Sequence, residues 1–363
     1  MVQGECNPNV EALRQTANRP MRNLLITGGC GFIGSNFINY FLREYPEMEV
    51  WNLDKMEYCA HPKSIEVADL PNYHFVQGDI ADATLVLRIF EDHDIDTIVH
   101  FAAQAHVENS FHQALLFTTT NVLGTHTLLE CARTYGKIGK FIHISTDEVY
   151  GERSTPAGEG EVLCPMNPYA ATKASAECIA RSYHSTYHLP ILIVRMNNVY
   201  GPYQYPEKLI SRFIMLALHG RRLTIQGSGE CERSFLHVSD VVRAIALLLQ
   251  RGVLGEAYNV GSEEPPRSAN EIARRVVEAV RGKVESEGDK IESHIVRVED
   301  RVRNDKVYLI NSEKIRGLGW RPKVRFDEGF ADTVKWYADA MERNFWPSID
   351  VVIGEPEGLK KER

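Results

Sequence analysis

From Arg22 onward, short apolar runs rich in β-branched residues alternate with longer stretches of helical period. The runs predict strands at Asn23–Thr27, Glu49–Asp54, Tyr73–Val76, Thr97–Ala102, Lys140–Ser145 and Ile191–Met196. Between them the spacing predicts helices near Ile33–Tyr45, Thr84–His93, Gln113–Tyr135 and Tyr169–Tyr187. Parallel strands need long crossovers, usually helical, so this alternation implies a parallel sheet covered on both faces. The expected fold class is α/β, a Rossmann-type doubly wound parallel sheet.

After about Tyr200 the alternation becomes irregular. Pro202, Pro206, Pro265 and Pro266 interrupt it, and helices separate strands near Leu223–Gln226 and Ser293–Val298. This predicts a smaller C-terminal lobe over the carboxyl edge of the sheet, where α/β proteins place their ligands. The expected organisation has residues 1–20 as an extension, 21–200 as the sheet domain with part of 235–262 returning to it, 201–234 and 263–345 as the lobe, and 346–363 as a tail.

Composition narrows the function classes. Hydrophobic residues at 44% and charged residues at 25% suit a globular chain, and a net charge of −8 argues against nucleic acid as the main partner. A phosphate-bearing small molecule stays open, because local basic residues decide that. The seven cysteines never fall as CxxC, which predicts reduced thiols in the cytoplasm, without disulfides or a zinc site. The polar stretch Met1–Pro20 does not read as a signal peptide, and no apolar run is long enough to span a membrane.

Candidate chemistry begins right after the first strand, with Thr27-Gly28-Gly29-Cys30-Gly31-Phe32-Ile33-Gly34 opening an amphipathic helix. Glycines in this turn let the backbone approach a pyrophosphate, and the helix N-terminus offers free N–H groups and partial positive charge. Gly28, Gly31, Phe32, Ile33 and Gly34 are therefore expected to hold a dinucleotide. Asp54 ends the second strand twenty residues beyond Gly34, placed for an adenosine ribose. A carboxylate there repels a 2′-phosphate and favours NAD over NADP, a preference that Lys55 tempers. Asp79 and Ile80, after the third strand, fall near the adenine.

Tyr169 and Lys173 form YxxxK; on a helix they share a face, so the lysine charge can lower the phenol's pKa toward that of a general base. Upstream, the strand Lys140–Ser145 delivers Ser145-Thr146-Asp147-Glu148-Val149-Tyr150-Gly151 to the same sheet edge.

These segments, with His100-Phe101-Ala102-Ala103-Gln104-Ala105-His106-Val107 and Asn167-Pro168-Tyr169, resemble the extended short-chain dehydrogenases over roughly Met21 to Trp346. Within that superfamily, Thr146-Asp147-Glu148 resembles the nucleoside-diphosphate-glucose 4,6-dehydratases; the sugar 4-epimerases have no acid–base pair there. The resemblance implies that Tyr169 takes the proton from the sugar's 4-hydroxyl during oxidation at C4 by NAD. Glu148 then removes the C5 proton, protonated Asp147 helps the 6-hydroxyl leave as water, and Thr146 polarises the 4-oxygen. Ala102 and Ala103 are implied cofactor contacts. His106, Asn198, Glu207, Lys208, Leu209, Asn259 and the diphosphate-binding Arg233 and Arg301 are implied substrate contacts.

Three positions depart from the family pattern: Ala105, Val302 and Val307. Asn304 and the segment Glu57-Tyr58-Cys59-Ala60 resemble the eukaryotic and viral branch, which leans the expected substrate toward UDP-glucose over dTDP-glucose. A homodimer is implied through the helices Gln113–Tyr135 and Tyr169–Tyr187. His100 and His106 have no third partner at metal-ligand spacing. The competing readings are a UDP-sugar 4-epimerase, a UDP-glucuronate decarboxylase, and a non-catalytic NAD-binding protein; Asp147-Glu148 and the full catalytic set weigh against them.

Overall fold

The computed structural model describes residues 20–282, 291–347 and 353–354; nearly all of the predicted N-terminal extension and C-terminal tail lie outside the described residues. The sheet strands are β1 (Asn23–Thr27), β2 (Glu49–Asp54), β3 (Tyr73–Gln77), β4 (Thr97–His100), β5 (Lys140–Thr146), β6 (Ile191–Met196) and β7 (Ala257–Val260). All pair in parallel, in the order β7-β6-β5-β4-β1-β2-β3. The order reverses between β1 and β4, and the crevice of such a sheet opens at that switch point.

Alternation along the strands sends side chains to two different cores. Leu24 and Ile26 of β1 face α1 (Phe32–Glu44), whose Phe37, Ile38 and Phe41 are fully buried. Leu25 faces the opposite layer with Phe141 and Ile193. That layer is built by α2 (Ala83–Asp92), α5 (Thr125–Tyr135) and α6 (Pro168–Tyr187), once α3 (Val107–His112) and α4 (Ala114–Phe117) have crossed the sheet edge. Farther along the chain come α7 (Leu209–Leu218), α8 (Val238–Arg251), α9 (Ala269–Arg281), α10 (Glu313–Gly317) and α11 (Phe326–Glu342). Of these, α8 joins α1 on the first face. A third core unites α7, α9 and α11 with the parallel pair Leu223–Gln226 and Ile295–Val298.

Most element boundaries agree with the periodicity to within a residue or two, and three features differ. The strand expected through Ala102 stops at His100, because the chain then crosses Gly28 so closely that a Cβ there would lie 2.6 Å from the Ala102 backbone. β7, which completes the sheet, is four residues long and too short to show a period. The single helix expected over Gln113–Tyr135 is interrupted by a π-helical turn at Thr118–Gly124. Buried Asn121 explains the interruption: its amide accepts from Gln104 N at 2.7 Å and donates to Gln104 O at 3.0 Å and Thr172 Oγ1 at 2.9 Å. Such turns recur at functional sites, and this one pins the segment after β4 to α6. Among the described residues, no helix is long and apolar enough to cross a membrane.

Candidate active site

The carboxyl ends of β1, β2, β4 and β5 open into one cavity of about 420 Å³, lined on its other side by residues between Asn198 and Tyr308. Its floor is backbone. Gly28 turns the chain into α1 at φ +72°, and a Cβ on Gly34 would lie 2.4 Å from the Gly28 carbonyl oxygen. Gly31 caps α1 without a side-chain hydrogen bond, leaving the first N–H groups of the helix to an outside acceptor. Phe32 and Ile33 line the same floor.

Asp54 is 8% exposed and accepts from Cys30 N at 2.9 Å and Met56 N at 2.8 Å. Each oxygen keeps lone pairs for ribose hydroxyls. Burial raises its carboxyl above the ordinary value, and those two backbone bonds draw it back. Lys55 is paired with Glu57 at 2.8 Å and Asp79 at 3.4 Å, so its charge is already matched and offers little to a 2′-phosphate. Ile80, Ala102 and Ala103 complete this wall. A cradle free of Cβ atoms at a helix N-terminus, with a fixed carboxylate beyond it, fits NAD.

At the next strand end the sequence places its acids. Thr146 Oγ1 accepts from Glu148 N at 3.3 Å and so caps the short 3₁₀ turn Asp147–Tyr150. Asp147 is 2% exposed; it accepts from Asn197 Nδ2 at 2.7 Å and from Thr146 Oγ1 at 3.2 Å. Burial pushes its carboxyl up to about 7, the Asn197 bond opposes this, and the Glu148 charge adds to it. Glu148 is half-buried and accepts from Asn167 Nδ2 at 2.9 Å. Two adjacent carboxyls thus have unlike surroundings, the condition for splitting acid and base roles.

Asn167 caps α6, which carries Tyr169 and Lys173 in its first turns. Burial raises the Tyr169 phenol, the Glu148 charge adds to the rise, and a hydrogen bond with Thr146 draws it back. The Lys173 ammonium donates to Ile144 O of β5 at 2.6 Å, and burial lowers it to about 8. The YxxxK spacing brings the lysine to the same edge, where its ammonium is held on a strand carbonyl.

His106, Asn198, Glu207, Lys208, Leu209, Arg233 and Arg301 line the far wall of the same cavity. Lys208 Nζ reaches across to Ala105 O at 2.5 Å, and Tyr58 Oη donates to Glu207 Oε2 at 2.6 Å. The first contact uses the backbone of residue 105, so the alanine there removes no partner. Arg301 Nε donates to Gln226 Oε1 at 2.6 Å and pairs with Glu108 of α3 at 3.1 Å. Arg233 lies over the Tyr308 ring at 4.8 Å and donates to Asp305 O at 2.9 Å. Two guanidinium groups beside one another, Arg301 paired with the Glu108 carboxylate and Arg233 held on backbone carbonyls, suit a dianionic ligand.

Asn259 does not belong to this wall. It is fully buried away from the cavity, accepts from Tyr150 Oη at 2.8 Å, and donates to Ala157 O at 2.9 Å and Asn311 O at 3.1 Å. Its amide is saturated internally. The cavity thiols are also inert: burial pushes Cys59 up to about 12, and Cys231 is raised as well. Conversely, Asn197, Gln226 and Tyr308 hold contacts in the site that the motifs did not single out, and Asn167 entered only as part of the resembling segment Asn167-Pro168-Tyr169. Only the doubled Asn197-Asn198 carried a local signal, and the second asparagine alone was chosen from it.

With this geometry in hand, the comparisons are specific. The family model described as GDP-mannose 4,6 dehydratase matches residues 25–333. The human dTDP-D-glucose 4,6-dehydratase is 43% identical over 334 residues, covering 92% of this chain and 94% of that protein. An Arabidopsis thaliana trifunctional UDP-glucose 4,6-dehydratase, 3,5-epimerase and reductase is also 43% identical over 90% of this chain, which spans only 48% of that protein's length. Among solved structures, a dTDP-glucose 4,6-dehydratase from Streptomyces venezuelae with NAD bound has a TM-score of 0.82 at 41% identity, covering 89% of this chain and 98% of that one. A Thermotoga maritima UDP-glucose 4-epimerase follows at 0.79 and 30% identity, covering 88% and 99%. Epimerases share the fold, so the adjacent acids after β5 carry the distinction. By the family match across most of its length, and by relatives alike along nearly the whole chain, the protein belongs to the GDP-mannose 4,6 dehydratase family.

Proposed function

We propose that the protein is an NAD-dependent nucleoside-diphosphate-glucose 4,6-dehydratase, forming the 4-keto-6-deoxy sugar nucleotide and water. One observation carries the reading: neighbouring Asp147 and Glu148 end the strand beside Tyr169, one sealed from solvent and holding its proton near neutral pH, the other half-open. An epimerase has no elimination step and no use for such a pair.

NAD, when bound, supplies the oxidant at C4 and returns the reducing equivalents at C6. Gly28, Gly31, Phe32, Ile33, Gly34, Asp54, Lys55, Asp79, Ile80, Ala102 and Ala103 hold it. Tyr169 accepts the 4-hydroxyl proton, helped by the positive charge that the oxidised cofactor brings next to a phenol otherwise held neutral by burial. Thr146 hydrogen-bonds the 4-oxygen and polarises the ketone. Glu148, ionised, removes the acidified C5 proton, and Asp147 donates its proton to the departing 6-hydroxyl. Lys173 orients the cofactor and supports Tyr169. Arg233, Arg301 and Lys208 bind the diphosphate, while Asn198, His106, Glu207 and Leu209 position sugar and nucleoside.

UDP-glucose is the preferred substrate in this reading, supported by Asn304 and Glu57, both at the cavity wall. A homodimer forms through α6 and the helical segment from α4 to α5, where Leu115 is 83% exposed and Leu123 54%. The free cysteines favour the cytoplasm. The test is incubation with UDP-glucose and dTDP-glucose separately, without added reductant, following product mass. Loss of one water supports the reading and the faster substrate names the base; an unchanged mass with NAD bound moves the assignment to an epimerase.

A further inference from the structure

Two asparagines stand behind the two carboxylates, and neither is free to turn. The amide oxygen of Asn167 accepts Ala170 N at 2.8 Å, at the start of α6. That of Asn197 accepts Ser262 N at 3.0 Å. A backbone N–H can only donate, so each amide is fixed with oxygen toward the backbone and NH₂ toward the site. Asn167 thereby aims its N–H at Glu148 Oε2, 2.9 Å away, and Asn197 aims its own at Asp147 Oδ2, 2.7 Å away. The two asparagines are 7% and 4% exposed, so bulk water does not compete for these bonds.

We propose that Asn167 and Asn197 are positioning residues that enforce the division of labour between base and acid, an inference that rests on the dehydratase reading above. A donated N–H favours the ionised form of the carboxyl that receives it. On half-exposed Glu148, it fixes Oε2, leaving Oε1 for the C5 proton. On sealed Asp147, the same bond acts by geometry. Oδ2 receives the N–H of the locked Asn197 amide, whereas the Thr146 hydroxyl that donates to Oδ1 at 3.2 Å is free to rotate away, so the proton of the neutral acid resides on Oδ1. Asn197 therefore selects which oxygen protonates the leaving hydroxyl, and both amides are set by backbone before substrate arrives.

The test is the pH dependence of kcat and KM for dehydration of UDP-glucose and dTDP-glucose. Asn197→Asp keeps an oxygen for Ser262 N and puts a carboxylate oxygen where the donor was. Asp147 then holds its proton to higher pH, and the alkaline limb of kcat moves up by about one unit, a ten-fold change in proton affinity, with KM unchanged. Asn167→Ser keeps the helix cap and deletes the donor to Glu148, so the acid limb moves up instead. N197S and N167D remove the same N–H groups by different chemistry and serve if either first variant melts well below the parent. Activity lowered at every pH with both limbs in their parental places overturns the proposal, since that is how a structural role alone behaves. A parent that forms no dehydrated product overturns the dehydratase reading and this inference together; a parent that dehydrates while the limbs stay fixed overturns the inference alone.

Discussion

The two halves of the cavity are made of different materials. The cofactor floor is backbone: Gly28 and Gly34 tolerate no Cβ, and Asp54 is held by two main-chain N–H groups. The substrate wall is long charged side chains, with Lys208 reaching Ala105 O and Arg301 reaching Glu108 across the cleft. A backbone floor is preformed and unforgiving. A wall of flexible cations must exchange existing partners for a ligand, so it tolerates change and registers it in affinity. Between the halves lie the acids, where small differences in burial decide chemistry.

Replacing a reacting acid should have the largest effect. Glu148→Gln is expected to permit C4 oxidation but to lower product formation by on the order of 10²–10⁴-fold, the usual worth of a general base. Near-parental formation of the 4-keto-6-deoxy sugar by this variant removes Glu148 from the base role. Next comes the floor. Gly34→Ala forces a Cβ against the Gly28 carbonyl, a clash worth about 1–3 kcal/mol, and should lower both NAD content after purification and Tm. An unchanged NAD content in that variant would mean that the floor is softer than its geometry implies.

The wall should answer more gently and in a different parameter. Arg301→Ala is expected to weaken UDP binding by about 1.5–3 kcal/mol, as for a lost hydrogen bond to a charged group, while leaving NAD content intact; calorimetric titration with UDP separates the two. Asn259→Ala, by contrast, should lower Tm and leave KM alone, because the amide serves Tyr150 and two backbone carbonyls outside the cavity.

A separate observable, stability against pH, isolates the sealed acid. Asp147 has a folded pKa raised to about 7 from 3.8, so the folded state binds this proton more tightly than the unfolded chain. The associated stability is full below the unfolded value and is lost as pH rises toward 7. Asp147→Asn should therefore melt above the parent at pH 8 and converge on it near pH 4. Parallel melting curves across that range would show that the carboxyl is not strained by burial.

The same contrast explains what could be read from the chain. The floor is local: a strand, a glycine turn and a helix lie within twenty-two residues, and Asp54 follows at a fixed distance. Such features leave a period and a motif. The wall assembles residues from positions 106 to 301, and only resemblance joined them. Asn259 shows the weakness of that route, since a residue in a recognised segment turned out to be core. Asn167 and Asn197 show the converse. Their importance lies in which backbone N–H fixes the amide oxygen, and no spacing in the sequence encodes it. The YxxxK spacing told correctly where Lys173 goes, but not that a strand carbonyl would hold its charge.

The π-helical turn at Thr118–Gly124 has one more consequence. Helical residues advance by about 100° each, so widening a single turn rotates everything beyond it relative to everything before. Leu115, Leu116 and Leu123 are exposed, while Leu128, Leu129 and Ala132 beyond the turn are buried against the sheet. The rod thus exposes leucines before and within this turn, beside fully buried Phe117, and seals the leucines beyond it within the fold.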